Sequence, residues 1–424
     1  MKILIISHNV LSQTENMGKT ISSYFSNFKS DELAQFYIHS QVPTSSICTR
    51  YFRITDKEAI CSIFSRRAGC EFTGKDIDIN LQVARTDKGI LASLYQKARK
   101  RTPMVYLLRN IWWKLAHWNN KRFNQWIEEF DPDGIFLASG DYAFIYDIAL
   151  KIAQKRRIPL FVSCMDDYYY YNKNSDRFLG VWQHDLFMKS VKKTMDYASA
   201  IFCICDKMTR DYEMLFNKTC ITVHTPATIQ KPLKYDKKKQ ICYLGNLGYK
   251  RNEQLITIGK VIKTLNLQPN VIDVYSTETN QDVLRELVAE NGIIFHGAIG
   301  IDDVIQVIGE SIAVIHTESF DEKRRKSVEY SISTKIADSL VSGTCIFAYG
   351  PPEIASMSYL ANNNAAICCT KEEELKQGLY NLIQNEDLRE RTIANAQLLA
   401  KNHLQQNTPL IIRNIMNNVL ATRK

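Results

Sequence analysis

The stretch Tyr330–Glu353, YSISTKIADSLVSGTCIFAYGPPE, has the pattern of a helix followed at once by a buried strand. Ser333 and Thr334 are typical helix-start residues, and an apolar stripe at helical spacing follows them. Gly343 is placed to end the helix, and the apolar run CIFAY comes directly after it. A helix joined by a short turn to a continuous apolar run is typical of a parallel sheet covered by helices.

The same alternation occurs along two stretches of the chain. The first contains the predicted strands KILIIS, GIFLAS, PLFVSC and AIFCIC, and the second contains QICYLG, VIDVYS, IIFHG, IAVIHT, CIFAY and AAICC. The proline-bearing, lysine-rich QKPLKYDKKK between them is predicted to be a linker. We therefore predict an α/β fold with two doubly wound Rossmann-like domains, residues 1–230 and 240–404, facing a central cleft. Residues 405–424 are predicted to form a final amphipathic helix, for which packing back on the first domain is one option.

The composition agrees with this division. A chain of 424 residues suggests two or three domains at about 150 residues each. A hydrophobic content of 45% with 23% charged residues is ordinary for a globular protein, and the net charge of +9 is modest for the size. Eleven cysteines without zinc-type spacing predict reduced thiols and a cytoplasmic location. The apolar runs are too short for a signal sequence or a membrane span.

The start of the predicted helix at Ser333 has the chemistry of an anion site. A helix N-terminus offers unpaired amide groups and a partial positive charge, which suit a diphosphate. Lys335 would add a full positive charge, and Asp338, one turn further on, is able to accept hydrogen bonds from ribose hydroxyls. We therefore expect a nucleoside diphosphate at this helix.

This segment resembles the donor-binding motif of GT-B glycosyltransferases, particularly family 4 and its capsule- and exopolysaccharide-building relatives. Their sequences often read S-T-K-[LI]-x-E-Y-L-A-S-G-x-P-[IV]-x-A-[YF]-G-P. The resemblance implies that Ser333, Thr334 and Lys335 hold the diphosphate of a nucleotide sugar, and that Asp338 replaces the ribose-binding glutamate. The E-x7-E pattern of family 4 is incomplete, because Tyr330 stands eight positions before Asp338. Retention and inversion of the anomeric configuration therefore both stay open.

Two further segments extend the resemblance. CYLGNLGYKRN resembles the turn that opens the donor domain, with Asn246 at the usual arginine position and Lys250 or Arg251 supplying charge to the diphosphate. IIFHGAIG resembles the strand and loop that frame the nucleobase, which implies base contacts from His296 and Gly297. The alternatives are a solvated basic loop for the first segment and a structural histidine for the second.

In the first domain, NMGKT follows the opening strand, but the absence of glycine from Met1 to Met17 excludes a P-loop. The resemblance implies instead that Gly18 lets the backbone approach the diphosphate-sugar donor. Asp166, just past a predicted strand, is the candidate catalytic base, whereas Asp141 fits the N-cap of the next helix. The DID at residues 76–78 is a formal D-x-D match in a poorly patterned region, and no metal is expected.

Residues 91–127 contain no acidic residue and are rich in basic and aromatic side chains. One interpretation is a peripheral membrane contact, and the alternative packs the aromatic rings into the core. No nucleic-acid-binding motif accompanies the segment. The residues concerned are Lys97, Arg99, Lys100, Arg101, Arg109, Lys114, Lys121, Arg122, Trp112, Trp113, Trp118 and Trp126.

Together these features predict a metal-independent glycosyltransferase that moves a sugar from a nucleoside diphosphate sugar to a glycan or lipid-linked acceptor in surface polysaccharide biosynthesis. The N-terminal domain would bind the acceptor and the C-terminal domain the donor. The enzyme is expected in the cytoplasm, with peripheral contact to the inner face of the cell membrane. The alternatives are a sugar-nucleotide epimerase of similar fold and a catalytically silent glycosyltransferase partner subunit.

Overall fold

The computed structural model describes residues 1–12, 16–73, 102–170, 178–238 and 240–423. The chain divides into two compact units. Unit 1 comprises Met1–Val223 together with Thr408–Lys424, and unit 2 comprises His224–Asn407. The DID match at residues 76–78 and residues 91–101 of the basic segment lie outside the described residues.

Within its described residues, unit 1 contains a sheet in the order β4-β3-β2-β1-β5-β6-β7-β8. Every neighbouring pair is parallel except β3 and β4. The strands are β1 (Ile3–Ser7), β2 (Leu33–Tyr37), β3 (Arg50–Arg53), β4 (Cys70–Thr73), β5 (Gly134–Ala138), β6 (Leu160–Cys164), β7 (Ala200–Cys203) and β8 (Cys220–Thr222). The helices are α1 (Asn16–Tyr24), α2 (Asp56–Ser65), α3 (Pro103–Leu115), α4 (Lys121–Phe130), α5 (Ala143–Arg156), α6 (Phe178–Tyr197) and α7 (Asp206–Phe216).

Unit 2 contains a parallel sheet in the order β11-β10-β9-β12-β13-β14. Its strands are β9 (Ile241–Leu244), β10 (Ile272–Tyr275), β11 (Ile293–Gly297), β12 (Ala313–Thr317), β13 (Cys345–Tyr349) and β14 (Ile367–Cys369). Its helices are α8 (Arg251–Thr264), α9 (Gln281–Leu284), α10 (Ile301–Glu310), α11 (Glu322–Val328), α12 (Thr334–Ser342), α13 (Ala355–Asn362), α14 (Glu372–Gln384) and α15 (Glu386–Leu399). The order reverses between β9 and β12, as in a doubly wound nucleotide-binding sheet.

Helices cover both faces of the unit 2 sheet, as its apolar strands require. Ile241 and Tyr243 of β9 belong to a core with side chains of α8, whereas Cys242 and Leu244 belong to a second core with side chains of α12. Successive side chains of a strand point to opposite faces, so one short apolar run serves both cores. The predicted α/β fold with two Rossmann-like sheets is confirmed.

The border between the units differs from the predicted one at residues 230–240. Unit 1 ends at Val223, and the stretch that follows is tied to unit 2 by backbone hydrogen bonds. The amide of Ala227 donates to the carbonyl of His403 (2.9 Å), and the amide of Leu233 donates to the carbonyl of Ser342 (2.9 Å). Lysine-rich composition therefore did not mark the border, because hydrogen bonds tie this stretch to unit 2, including one from Lys237 Nζ to the Thr344 hydroxyl (2.7 Å).

The predicted terminal helix at 405–424 corresponds to α16 (Asn407–Ala421), and it packs within unit 1. Ile412 and Met416 are fully buried in the core around β1 and α1. Arg413 forms a two-point ion pair with Glu32 (2.8 and 3.1 Å). Apolar burial and this ion pair together fix the helix on unit 1.

Candidate functional site

The N-terminus of α12 lies in the crossover between β12 and β13 of unit 2. Ser333 is the N-cap residue, and its hydroxyl accepts a hydrogen bond from the amide of Lys335 (3.4 Å). Gly343 ends the helix in the left-handed conformation, as the sequence predicts. Both boundaries of the helix follow from local capping chemistry.

Lys335 extends from this helix to the loop after β9. A Cβ atom built on Gly245 would lie 3.2 Å from Lys335 Nζ and 2.7 Å from the Tyr243 hydroxyl. Lys335 has neither a hydrogen bond nor an ion pair through its ammonium group within the described residues. Desolvation and the nearby Arg251 guanidinium lower its pKa. An unpaired ammonium group beside a second cation is an arrangement that an anionic ligand would stabilise.

Arg251, the first residue of α8, is held by a buried carboxylate. Its Nε and Nη2 donate to the two carboxylate oxygens of Glu318, which follows β12, at 2.9–3.1 Å. The Glu318 side chain is 3% exposed and the Arg251 side chain is 16% exposed. Burial raises the pKa of Glu318 against the opposing effect of Arg251. The bidentate geometry fixes the guanidinium at the carboxyl edge of the sheet, near Lys335.

The other two predicted diphosphate contacts in this loop have partners within the chain. The Asn246 side chain accepts from the amide of Gly248 (2.5 Å), so it shapes its own turn. Lys250 is paired with Asp321 (3.3 Å) and Glu253 (3.5 Å). The assignment of Asn246, Lys250 and Arg251 to the diphosphate stays a prediction.

Asp338 was predicted to bind ribose. One of its carboxylate oxygens accepts from the amides of Thr228 (2.6 Å) and Ile229 (2.9 Å), which anchors the entry of the chain into unit 2. This contact gives the side chain a structural role that the sequence did not indicate. The ribose contact stays a prediction.

His296 and Gly297, the predicted base contacts, lie at the end of β11. The His296 ring stacks on Tyr275 (4.6 Å between centroids), and its Nε2 contacts Asp273 (2.6 Å). Gly297 has a φ of +77°, and a Cβ there would meet open space. The site therefore has a stacked imidazole and an uncovered backbone, and the base contacts themselves stay a prediction.

One titratable neighbour of Arg251 was not predicted from the sequence. His316 in β12 is hydrogen-bonded through Nε2 to the Ser356 hydroxyl (2.9 Å). Burial and the Arg251 charge lower its pKa to about 3, so the ring is neutral at physiological pH. Because His316 is a single histidine inside an apolar run, the sequence did not indicate that it lies near Arg251.

In unit 1, Gly18 and Asp166 are not brought into one cluster by any described contact. A Cβ on Gly18 would lie 2.2 Å from the Val10 carbonyl oxygen, so the glycine permits close packing of α1 against the chain itself. Asp166 is exposed beyond the end of β6. Its neighbour Asp167 accepts from the amides of Tyr169 and Tyr170 (3.1 and 3.0 Å) and shapes the turn. The donor role of Gly18 and the catalytic role of Asp166 stay predictions.

A polar cluster that the sequence analysis did not foresee lies after β1. Arg109 of α3 contacts His8 Nε2 (3.0 Å) and Asp56 (2.9 Å), and its guanidinium stacks on the Tyr142 ring at 3.7 Å. Because arginine only donates, His8 accepts through Nε2 and its Nδ1–H donates to Asn9 (2.9 Å). Burial and Arg109 lower the pKa of His8 to about 4. His8 is thus neutral, and both of its ring nitrogens are used.

The N-cap prediction for Asp141 is wrong. The N-cap residue of α5 is Tyr142, which makes no side-chain cap bond. Asp141 instead accepts a hydrogen bond from the Tyr106 hydroxyl (2.6 Å), which ties α3 to the loop after β5. The Asp141 carboxylate therefore bonds Tyr106, 35 positions away, instead of capping the helix that follows it.

The described part of the basic segment supports core packing for most of its tryptophans. Trp113, Trp118 and Trp126 are buried, and Trp112 is half-buried. Among the described helices, none combines the length and apolarity needed to cross a membrane. Within the same residues, no cluster of three or more His, Cys, Asp or Glu side chains is arranged to hold a metal ion.

No protein-family model matches the sequence, and no curated protein matches it significantly. Solved structures do match along its whole length. HepE of Anabaena in complex with UDP has a TM-score of 0.60 at 12% identity, covering 99% of this chain and 100% of that one. Sucrose-phosphate synthase of Thermosynechococcus elongatus has a TM-score of 0.62 at 8% identity, with 100% of both chains covered.

A trehalose 6-phosphate synthase from Burkholderia multivorans matches similarly, with a TM-score of 0.59 at 10% identity over 100% of this chain and 97% of that one. At such low identity the likeness establishes the fold and leaves residue roles open. The chain has the two-domain α/β fold of these glycosyltransferases, which is the GT-B fold predicted from the sequence.

Proposed function

We propose that this protein is a glycosyltransferase that takes a sugar from a nucleoside diphosphate sugar, with the diphosphate bound in unit 2. The observation that carries the proposal is the position of the Lys335 ammonium group beside Gly245, where the charge of Arg251 also acts on it. The structural likeness to HepE, which was solved with UDP, supports UDP as the first nucleotide to test.

The proposed chemistry needs positive charge at the leaving group. When the bond between sugar and diphosphate breaks, negative charge develops on the diphosphate, and fixed donors stabilise that charge in the transition state. Lys335 and the first amides of α12 are the proposed donors, together with the hydroxyls of Ser333 and Thr334. Arg251, oriented by Glu318, adds a second cation. We propose that these groups bind the donor without a metal ion.

Unit 1 is the proposed acceptor-binding unit, with Asp166 as the base for the acceptor hydroxyl. Its support is the exposed position of this carboxylate just past the end of β6, the edge at which ligands bind in such sheets. A glycan acceptor and a role in surface polysaccharide biosynthesis rest on the resemblance of the motif at Tyr330–Glu353, and a lipid-linked acceptor rests on the proposed membrane contact. The proposed location is the cytoplasmic face of the membrane, with contact through the segment 91–127.

The test is UDP binding to the full chain by calorimetry, comparing Lys335→Ala with Lys376→Ala. Lys376 is an exposed lysine on α14 of the same unit and serves as the matched control. Losing a hydrogen bond to a charged group costs about 1.5–3 kcal/mol. The dissociation constant of Lys335→Ala should therefore rise roughly 10- to 150-fold, and that of the control should not change. Equal affinity of both variants would contradict the proposed donor site.

Turnover separates the enzyme from its alternatives. UDP-, GDP-, dTDP- and CMP-sugars are screened first by thermal shift, since a ligand of the folded form raises the melting temperature. The nucleotide sugar that stabilises the chain is then supplied with radiolabel. Release of its nucleotide, which is the nucleoside diphosphate for UDP-, GDP- and dTDP-sugars and CMP for CMP-sugars, is followed with Lys335→Ala as control. Binding without release would indicate a silent subunit, and conversion of the sugar while still attached to nucleotide would indicate an epimerase.

A further inference from the structure

Helix α3 exposes an unusual face. Its buried side chains include Tyr106, Leu107, Arg109 and Trp113, which attach it to unit 1. The opposite side exposes Met104 (54%), Leu108 (38%), Ile111 (50%) and Leu115 (57%). At 3.6 residues per turn these four positions lie within an arc of about 60° and extend over about 16 Å. We call this set the α3 stripe.

The α3 stripe has the character of a binding surface. Single exposed apolar side chains are normal on a protein surface, but contiguous ones at helical spacing mark a binding surface. Within the described part of the chain, nothing covers these four side chains well enough to bury them. The structure therefore has a helix that is apolar on both its inner and its outer side.

The charges along α3 and the residues that follow it point to an anionic partner. No aspartate or glutamate occurs from Thr102 to Ile127, and Lys114, Lys121 and Arg122 are exposed there. Lys114 lies on α3 itself, between Ile111 and Leu115 in sequence. An outer face of large apolar side chains flanked by lysine and arginine is the pattern of helices that lie in a membrane interface.

Helix α6 packs against α3 and repeats the pattern. Its first turns expose Phe178 (92%), Val181 (43%) and Trp182 (51%). Further along, Lys189, Lys192 and Lys193 are exposed, together with Asp185 and Asp196. Phe178, Val181 and Trp182 therefore form a second exposed apolar patch, and an exposed tryptophan is typical of the boundary between lipid headgroups and acyl chains.

We propose that the α3 stripe docks on an anionic lipid bilayer, with its four apolar side chains at the acyl boundary and Lys114 at the level of the lipid phosphates. This inference refines the membrane contact of the proposed function and moves it from the tryptophans to Met104, Leu108, Ile111 and Leu115. A lipid-linked acceptor would then be presented at the surface on which the protein lies.

The test is sedimentation of the full chain with vesicles, without donor or acceptor. Vesicles of phosphatidylcholine alone are compared with vesicles of phosphatidylcholine and phosphatidylglycerol in equal parts. The wild type should bind the anionic vesicles more tightly. The double variant Leu108→Asn with Ile111→Asn should bind them at least about tenfold more weakly, because two inserted side chains become polar. Lys114→Gln should weaken binding about fivefold, because one lysine near an anionic membrane surface strengthens binding by about that factor.

The matched control is Phe64→Asn with Met214→Asn, which changes two strongly exposed apolar side chains of unit 1 outside the stripe. This control should bind vesicles like the wild type. All the substituted side chains are exposed, so unchanged circular dichroism and melting temperature are expected and are checked first.

Three results would overturn the proposal: no binding of the wild type to anionic vesicles, equal binding to both vesicle types, or equal loss in the stripe variant and the control. A dimer in light scattering that the stripe variant abolishes would assign the stripe to a second copy of the chain instead. UDP binding is measured on the same variants without vesicles. Failure of the membrane contact therefore leaves UDP binding intact, whereas failure of the donor site leaves vesicle binding intact.

Discussion

The ion pair between Arg251 and Glu318 should be the most sensitive polar contact of unit 2. In Glu318→Ala, Arg251 keeps its charge at a position where its side chain is only 16% exposed. Removing one partner of a buried ion pair leaves an uncompensated charge, which costs about 3–5 kcal/mol. Because Arg251 retains some exposure, we expect the lower end, about 3 kcal/mol.

For a unit of this size, 1 kcal/mol corresponds to a change of about 2–4 °C in melting temperature. Differential scanning calorimetry of the full chain should therefore give a decrease of about 6–12 °C for Glu318→Ala in the transition of unit 2. The double variant Glu318→Gln with Arg251→Met removes both charges and should recover part of this loss.

The control is Glu322→Ala, which removes the partner of Lys326 from an exposed pair (2.8 Å, side chains 71% and 63% exposed). Exposed pairs contribute about 1 kcal/mol or less, so the melting temperature should change little. If Glu318→Ala lowers it no more than Glu322→Ala does, the guanidinium is not held as described, and its place at the donor site is refuted.

Two further changes give sharp expectations. Gly245→Ala places a Cβ 2.7 Å from the Tyr243 hydroxyl and 3.2 Å from Lys335 Nζ, so the Lys335 ammonium group would have to move. Calorimetry should therefore show weaker UDP binding. The control is Gly140→Ala, whose Cβ meets open space and which should bind UDP like the wild type. Burial lowers the pKa of His403 from 6.5 to about 4. Between these pH values the unfolded chain protonates this histidine and the folded chain does not, so the free energy of unfolding decreases as the pH falls from 6.5 to 4. The full decrease is about 3 kcal/mol. Urea unfolding at both ends of that window should give a smaller loss for His403→Gln; an equal loss would show that the ring does not titrate this way.

The sequence predicts the strands that are continuous apolar runs, but it misses two strands in which polar residues interrupt the run. GIFLA of β5 and CIFAY of β13 are fully buried and were predicted, whereas β2 and β3 were missed. In β2, Gln35 is buried because it bonds the Leu11 amide, the Ser7 hydroxyl and the Asn9 carbonyl. A buried amide whose partners come from the end of β1 and the loop after it looks in sequence like a surface residue.

The candidate site was predictable where the signal is local. Ser333 as N-cap and Gly343 as C-cap follow from capping chemistry within one helix. The pairing of Arg251 with Glu318, 67 positions apart, depends on the order in which β9 and β12 lie in the sheet. Likewise, Asp338 at the start of a motif helix gave no hint of its bonds to the amides that anchor the entry of the chain into unit 2. Contacts set by topology are beyond a single sequence.

The position of α16 has a consequence for biosynthesis. Unit 1 needs Ile412, Met416 and Arg413 to close its core, and the ribosome adds these residues only after all of unit 2 has been made. Domains generally fold as units while the chain emerges. Unit 2 is therefore able to complete its fold before unit 1, whose first 223 residues expose apolar surface until α16 has been made. A nascent chain stalled before residue 408 would therefore be a natural client for chaperones.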